Sequence, residues 1–368
     1  MRKDGSRRTR WKRLRLQISN IIMSKRVLVA MSGGVDSSVT AALLQNAGMH
    51  VEGATMKLAA GLCCDIGSAA DVCTHLHIPH RIIHAEDEFS RQVVKDFISE
   101  YRCGRTPNPC VRCNERIKFS LLLDYAREQG FDYLATGHYA RIEQEPGTSL
   151  FVLKKGLDKA KDQSYFLYRL TQAQLKNILF PLGGMSKSEV RAAARSFGLP
   201  AAERPESQEV CFIPDNDYRT FLKEHAPETL RPGEMVLSDG KIVGQHTGIA
   251  FFTVGQRRHL GVAAGDRLYV IRIDAKTNRV VLGRLTELQK REMMVADPVF
   301  VSTSPQMPVA ATVKIRYRSP LVPAVIERAS HEALHVIFDH PVSGICPGQA
   351  AVIYDGDRII GGGIIANY

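Results

Sequence analysis

The segment that most limits what this chain can fold into is RVLVAMSGGVDSSVTAALL, residues 26–44. A β-branched apolar run from Val27 to Met31 meets Ser32, Gly33 and Gly34 at once, and Val35, Asp36, Ser37 and Ser38 lead straight into the helical spacing of Val39, Ala42 and Leu43. That order is strand, tight turn, helix. Two glycines let backbone amides come close to a ligand, the serines add hydroxyl donors, and the new helix directs its unpaired N–H groups and the positive end of its dipole into the same space. Such a cradle suits a phosphate. The Walker A form is excluded, because GxxxxGK[ST] occurs nowhere in the chain.

The alternation continues downstream. Residues 51–56 read as a second strand, 68–76 as a helix, 81–84 as a third strand, 89–101 and 117–129 as amphipathic helices, and 132–136 as a buried strand running into Gly137, His138 and Tyr139. A βαβα order implies an α/β fold with a mostly parallel sheet, helices on both faces and ligands at the strand C-terminal ends. Ala30, Met31, Met56 and Gly137 are therefore expected beside the glycine turn, with Gly137 flanking an adenine.

Between the two amphipathic helices lies RTPNPCVRCNERIKF, residues 105–119. Two prolines and Asn108 make a stiff loop expected to display Cys110 and Cys113 near a helix start, where a thiolate is favoured. Lys154 and Lys155 close a hairpin, and KDQSYFL follows at 161–167. Ser186 and Glu189 form a capping box for a helix ending at Gly198. Cys211 stands in the apolar patch of the polar stretch 206–213.

Beyond Pro214 the pattern changes to a short helix, 217–224, and short strands with turn signals such as Asp239-Gly240 and Gly265-Asp266. The division read from this is a basic extension at 1–22, a nucleotide domain at 23–213, a small linking domain at 214–290 and an antiparallel β-barrel at 291–368. Hydrophobic content of 44% and charged content of 24% are globular, and no apolar run has the length of a membrane span. The net charge of +11 is concentrated at the start, where Arg2, Lys3, Arg7, Arg8, Arg10, Lys12, Arg13 and Arg15 face only Asp4. Met23 stands just before the first strand, so this arm is read as an extension outside the fold. Eight cysteines without a secretory leader point to a reducing, cytoplasmic setting.

SGGVDS in this setting resembles the PP-loop of the ATP pyrophosphatases. With RTPNPCVRCNERIKF, ATGHYAR, KDQSYFL, ESQEVCF, HTGIAFFTVGQRR, KIRYRS and PGQAAVIY in order over residues 26–354, the chain resembles the tRNA-specific 2-thiouridylases. The resemblance implies ATP- and Mg²⁺-dependent adenylation of the C2 oxygen of the wobble uridine in tRNAs for Lys, Glu and Gln, then replacement by sulfur. Sulfur would come from a sulfur-relay protein or cysteine desulfurase, without a membrane partner. In the family pattern Cys211 carries a persulfide, Cys113 attacks to release sulfur and leaves a disulfide between the two, and Asp36 assists at the pyrophosphate. Asn108, Pro109 and Cys110 would sit beside the flipped base. His138, Lys161, Asp162, Gln163, Arg316, Tyr317 and Gln349 would contact the RNA.

The loop departs from the family at Cys110, where many members have Asp. The resulting CxxC tilts the choice toward a [4Fe-4S] cluster on Cys110, Cys113 and Cys211, with hydrosulfide on the open iron. Zinc on the same cysteines with His138 is a third arrangement. A PP-loop amidoligase acting on a small metabolite and a non-catalytic RNA-binding protein are the competing functions. His75, His77, His80 and His84 alternate across a helix end and a strand, and are read as surface or core histidines.

Overall fold

The computed structural model describes residues 24–58, 65–205, 210–262 and 267–366. The basic arm, Cys63, Cys64, residues 206–209 of the ESQEVCF motif and the Gly265-Asp266 turn lie outside them.

The first strand, β1 (Arg26–Ala30), feeds helix α1 (Val35–Asn46) through the glycine turn, and β2 (His50–Lys57), α2 (Ile66–His75) and β3 (His80–His84) follow. Helix α3 (residues 86–102) and helix α4 (residues 109–128) precede β4 (Tyr133–Ala135), the hairpin β5 (Ala140–Gln144) and β6 (Phe151–Lys155), and β7 (Ile178–Leu179). The parallel sheet has the order β3-β2-β1-β4-β7. Strand order reverses between β1 and β4, so the loops after these two strands open a crevice at the C-terminal edge.

Alternation along β1 explains the layers. Val27 and Val29 pack with Ala41, Leu44 and Val72 of α1 and α2. Leu28 points the other way, among Phe89, Ile117 and Leu122 of α3 and α4. All three strand residues are fully buried, and each such side chain contributes roughly 1.5–3 kcal/mol.

Helix α5 (Lys187–Ser196) starts at the expected capping box, with the Ser186 hydroxyl and the Glu189 carboxylate each accepting from the other's backbone N–H. Helix α6 (Tyr218–His225) is capped by Asp217. The middle of the chain adds β8 (Gly233–Leu237), β9 (Ile242–His246), β10 (Tyr269–Asp274) and β11 (Arg279–Gly283), in a sheet ordered β10-β11-β8-β9.

Strands β12 (Gln289–Phe300), β13 (Val309–Lys314), β14 (Val322–Ser330), β15 (Ala333–Ser343), β16 (Ala350–Asp355) and β17 (Arg358–Ile365) follow. They run β12-β15-β14-β13-β16-β17, and pairing of β12 with β17 closes an antiparallel six-stranded barrel. The hairpin β5–β6 belongs to this barrel's sheet, because Lys154 pairs with Arg358 and the Lys155 N–H donates to the Asp357 carbonyl at 2.8 Å. No helix among the described residues is long and apolar enough to cross a membrane.

Candidate active site

At the glycine turn the Ser32 N–H donates to Ser37 Oγ at 3.2 Å, and the Ser37 and Ser38 hydroxyls donate to the Gly34 carbonyl at 3.0 and 2.8 Å. Gly34 begins α1 without a side-chain cap, which leaves the first-turn amides facing the crevice. Gly33 has φ +80°, and a Cβ there would lie 2.8 Å from the Asp65 carbonyl oxygen. Asp65 in turn caps α2 through the Ser68 N–H and pairs with Arg204 at 2.8 Å. The Ser68 hydroxyl and amide and the Arg204 guanidinium hold the Asp65 carboxyl down to about 2. Met31 and Met56 have buried side chains, so beside Ala30 at this edge they offer backbone. The Met31 N–H is already given to the Ala54 carbonyl at 2.8 Å.

Asp36 follows the buried Val35 in the first turn of α1 and is the most heavily engaged carboxylate of the turn. Tyr139 Oη donates to its Oδ1 at 2.7 Å, and Lys187 Nζ lies 2.8 Å from both oxygens. Gly137 packs against the same point, since a Cβ on it would stand 2.9 Å from the Asp36 carbonyl carbon and 3.0 Å from the Ser37 nitrogen.

The thiols are carried by helix α4 and by the segment that follows residue 209. Helix α4 begins at Pro109, eight residues earlier than the sequence pattern suggests, because proline is well suited to the first helical position. This corrects the expectation that both cysteines are displayed. Cys110 is exposed, whereas Cys113, one turn on, points inward and is 7% exposed. A wide π-helical turn starts at Cys113 and runs to Leu121. Asn108, just before α4, hydrogen-bonds Tyr165.

Cys211 is exposed beside Cys110. It is held there by Phe212, whose ring meets Phe97, Phe221 and Phe89 edge-on at 5.3, 5.4 and 5.6 Å. Cys110 is touched by solvent yet crowded by protein. That crowding raises its thiol pKa, Cys211 adds to the rise, and the Lys118 ammonium opposes it.

His138, next to Gly137, sits with its ring 5.7 Å from both Phe119 and Phe180, and its Nδ1 is 2.7 Å from the Thr136 hydroxyl. Burial first, and then Lys118, pushes its pKa well below the ordinary histidine value, so the imidazole is neutral. Asp36 packs on Gly137, the neighbour of His138, and the Lys118 charge acts on both His138 and Cys110 as Cys211 acts on Cys110, which links the nucleotide turn to the thiols.

The rim carries the expected RNA-facing residues in two kinds. Asp162 is 9% exposed and accepts from the Gly156 and Ser164 amides at 2.9 and 3.1 Å, which anchors the loop presenting Lys161. The Gln163 side-chain Oε1 accepts from the Tyr139 N–H at 3.0 Å. Gln349 Nε2 donates to the Thr106 and Pro107 carbonyls at 2.9 and 3.1 Å, tying the barrel to the cysteine loop. Arg316 Nη2 donates to the Val254 carbonyl at 2.8 Å. Tyr317 packs on Phe166 at 4.5 Å with the Lys314 ammonium 5.5 Å from its ring. Sequence reasoning missed Lys118, Lys187, Arg204 and Lys314. The capping box gave a signal only for the helix that bears Lys187.

Among the described residues no three His, Cys, Asp or Glu side chains group as metal ligands. His138 gives its Nδ1 edge to Thr136. His75, His80 and His84 engage the Phe197 carbonyl, Thr55 and Glu86. Asp36 is the carboxylate of the turn, and a Mg²⁺ arriving there would be held mainly by oxygens of the nucleotide itself.

Three family models match the chain: tRNA methyl transferase HUP domain over residues 25–215, tRNA methyl transferase PRC-barrel domain over 219–284, and aminomethyltransferase beta-barrel domain over 290–365. The chain is similar to the tRNA-specific 2-thiouridylase MnmA of Geobacter metallireducens, with 48% identity across 93% of this chain and 96% of that protein. It is also similar to the protein of that name from Acetivibrio thermocellus, with 44% identity across 93% of this chain and 99% of that one.

Proposed function

The chain belongs to the tRNA-specific 2-thiouridylase family, and from that premise we propose that it adenylates the C2 oxygen of the wobble uridine in tRNAs for Lys, Glu and Gln and replaces that oxygen with sulfur carried on Cys211. The observation that carries the reading is that Gly137 packs on Asp36 while its neighbour His138 shares the influence of Lys118 with Cys110, which in turn lies within the influence of Cys211. A nucleotide turn linked in this way to two thiols suits a reaction that activates a base and then sulfurates it.

The chemistry needs both the nucleotide turn and the thiols. A carbonyl oxygen is a poor leaving group, and transfer of AMP turns it into a good one. The open first-turn amides after Gly34 and the Ser32 hydroxyl would receive the phosphates, and a Mg²⁺ brought with the nucleotide would supply charge neutralisation. An extruded base lies across Asn108, Pro109 and Cys110. Lys161, Arg316 and Tyr317 on the rim supply phosphate and stacking contacts, as RNA recognition requires.

The terminal sulfur of a Cys211 persulfide bonds to C2 while AMP leaves with its electron pair. The Cys113 thiolate then attacks Cys211 Sγ, the bond to the transferred sulfur breaks, and 2-thiouridine departs. The resulting Cys113–Cys211 disulfide is reduced by an external dithiol. Burial of Cys113 at 7% exposure supports a thiol shielded from other electrophiles until the base is seated. The persulfide arrives from a sulfur-relay protein or cysteine desulfurase.

The test combines tRNA, ATP, Mg²⁺ and a persulfide donor and follows pyrophosphate and 2-thiouridine separately. Cys113→Ser and Cys211→Ser are expected to abolish 2-thiouridine while keeping tRNA-stimulated pyrophosphate release. Stoichiometric iron and sulfide in anaerobically purified protein, lost with activity in Cys110→Ala, would replace the persulfide route by a cluster. Pyrophosphate release that ignores tRNA would favour a small-metabolite synthetase.

A further inference from the structure

Lys187 is the first helical residue of α5 and sits 151 residues from its partner Asp36. Its ammonium is 2.8 Å from both Asp36 oxygens, its side chain is 12% exposed, and it lies 5.8 Å from the Tyr139 ring. Its backbone N–H is fixed by Asp158 at 2.9 Å, and the Ser186 capping box sets the angle at which α5 arrives.

Stability alone does not call for this arrangement. A carboxylate in the first turn of α1 is already favoured by the helix dipole, and Tyr139 gives it a further hydrogen bond. Withdrawing an ammonium from water is unfavourable unless its charge is matched, and the pair gains little over an apolar contact of the same shape. The location answers better to function. Asp36 lies at the mouth of a cradle built for phosphate, where an unmatched carboxylate would repel the triphosphate. A neighbouring cation cancels that repulsion and brings a donor to the place where negative charge grows.

We propose that Lys187 is a catalytic cation of the adenylation step: held on Asp36 before nucleotide arrives, its ammonium donates to the departing pyrophosphate. The assignment rests on the thiolation reading for the identity of the acceptor. In the step, uridine O2 forms a bond to the α-phosphorus, and the bond from that phosphorus to the bridging oxygen breaks. Its electron pair goes to pyrophosphate, and the N3 proton of the base passes to water. Lys187 keeps its proton throughout and contributes charge and a hydrogen bond.

The experiment measures pyrophosphate release at saturating ATP, tRNA binding, thermal melting and inhibition by added pyrophosphate for wild type, Lys187→Met and Lys187→Arg. Lys187→Met is expected to lower the tRNA-dependent kcat by about 100-fold or more, the range for removing one preorganised donor at a developing anion, while tRNA binding moves by less than about twofold. Pyrophosphate inhibition should weaken by about tenfold in Lys187→Met and recover in part in Lys187→Arg, a response that a purely structural lysine would not produce. A kcat within about threefold of wild type, or a loss that tracks tRNA binding with pyrophosphate inhibition unchanged, overturns the assignment. Dependence on tRNA and dependence on Lys187 are read separately. Release that needs Lys187 but not tRNA leaves the lysine in place and overturns the thiolation reading.

Discussion

The two glycines of the nucleotide turn make opposite demands, and substituting each with alanine separates folding from ligand approach. Gly33 has φ +80°, and its Cβ would meet the Asp65 carbonyl at 2.8 Å and Ser68 Cβ at 3.0 Å. The left-handed backbone costs about 1–2 kcal/mol with a side chain present, and overpacking against a fixed helix start adds about 1–3 kcal/mol. Gly34 has φ −86°, and its Cβ would meet only Ser32 Oγ at 3.5 Å, an ordinary contact. Losing glycine for alanine at a helix start costs about 0.5–1 kcal/mol, which the stiffer unfolded chain offsets by about 0.4–1 kcal/mol. Gly33→Ala should therefore lower the melting temperature of the nucleotide domain by roughly 5–15 °C, while Gly34→Ala stays within about 2 °C of wild type. Yet Gly34→Ala should weaken ATP-dependent pyrophosphate release at least about tenfold, because a methyl group intrudes where amides and phosphate must meet. The assay pairs thermal melting with pyrophosphate release over an ATP titration. Wild-type ATP dependence in Gly34→Ala refutes the cradle, and equal destabilisation by both variants refutes the steric argument.

Other expectations follow from the same geometry. In native protein, thiol alkylation should reach Cys110 and Cys211 well before Cys73, Cys113 and Cys346, which are buried, as mapped by mass spectrometry with and without denaturant; Cys73 is further protected because burial pushes its thiol up to about 11. His80, His138 and His246 all have pKa values lowered by burial, so the unfolded chain binds more protons below the ordinary histidine value near 6.5 and stability should fall as pH drops through that point. Denaturant melts of His138→Gln between pH 5 and about 8 should show a shallower decline, and an unchanged slope would remove His138 from the account. Gln349→Ala frees the Thr106 and Pro107 carbonyls and should slow thiolation roughly tenfold by loosening the Cys110 loop, with pyrophosphate release less affected.

How far the sequence carries the structure depends on distance along the chain. The β1–turn–α1 unit and the Ser186–Glu189 box were legible because neighbouring residues determine them. The barrel was legible as a class, since short alternating strands with turn residues leave few other solutions. The start of α4 was not, because Pro107, Asn108 and Pro109 carry strong loop signals while proline also suits the first helical turn; that one ambiguity decides which way Cys113 faces. The Asp36–Lys187 pair and the Gln349 tether join residues 151 and 243 positions apart, and no local pattern in either segment encodes its partner. Lys118 was passed over for a related reason: its importance comes from what α4 sets it beside, His138 and Cys110, not from its neighbours in the chain.

The strands β5 and β6 grow out of the nucleotide domain and run into the barrel wall at Arg358, with Arg141 pairing to Asp357 at 2.6 Å. Barrel and nucleotide domain are consequently stitched through a shared ladder instead of swinging on a flexible tether. An RNA gripped by the barrel would meet the crevice at a set offset, much as a workpiece clamped to a lathe bed meets its tool. Cutting the chain after the linking region would bare the outer edge of β6, an invitation to edge-to-edge association. The amino-terminal portion expressed alone is accordingly expected to self-associate in light scattering, and a well-behaved monomer would show that the splice is dispensable.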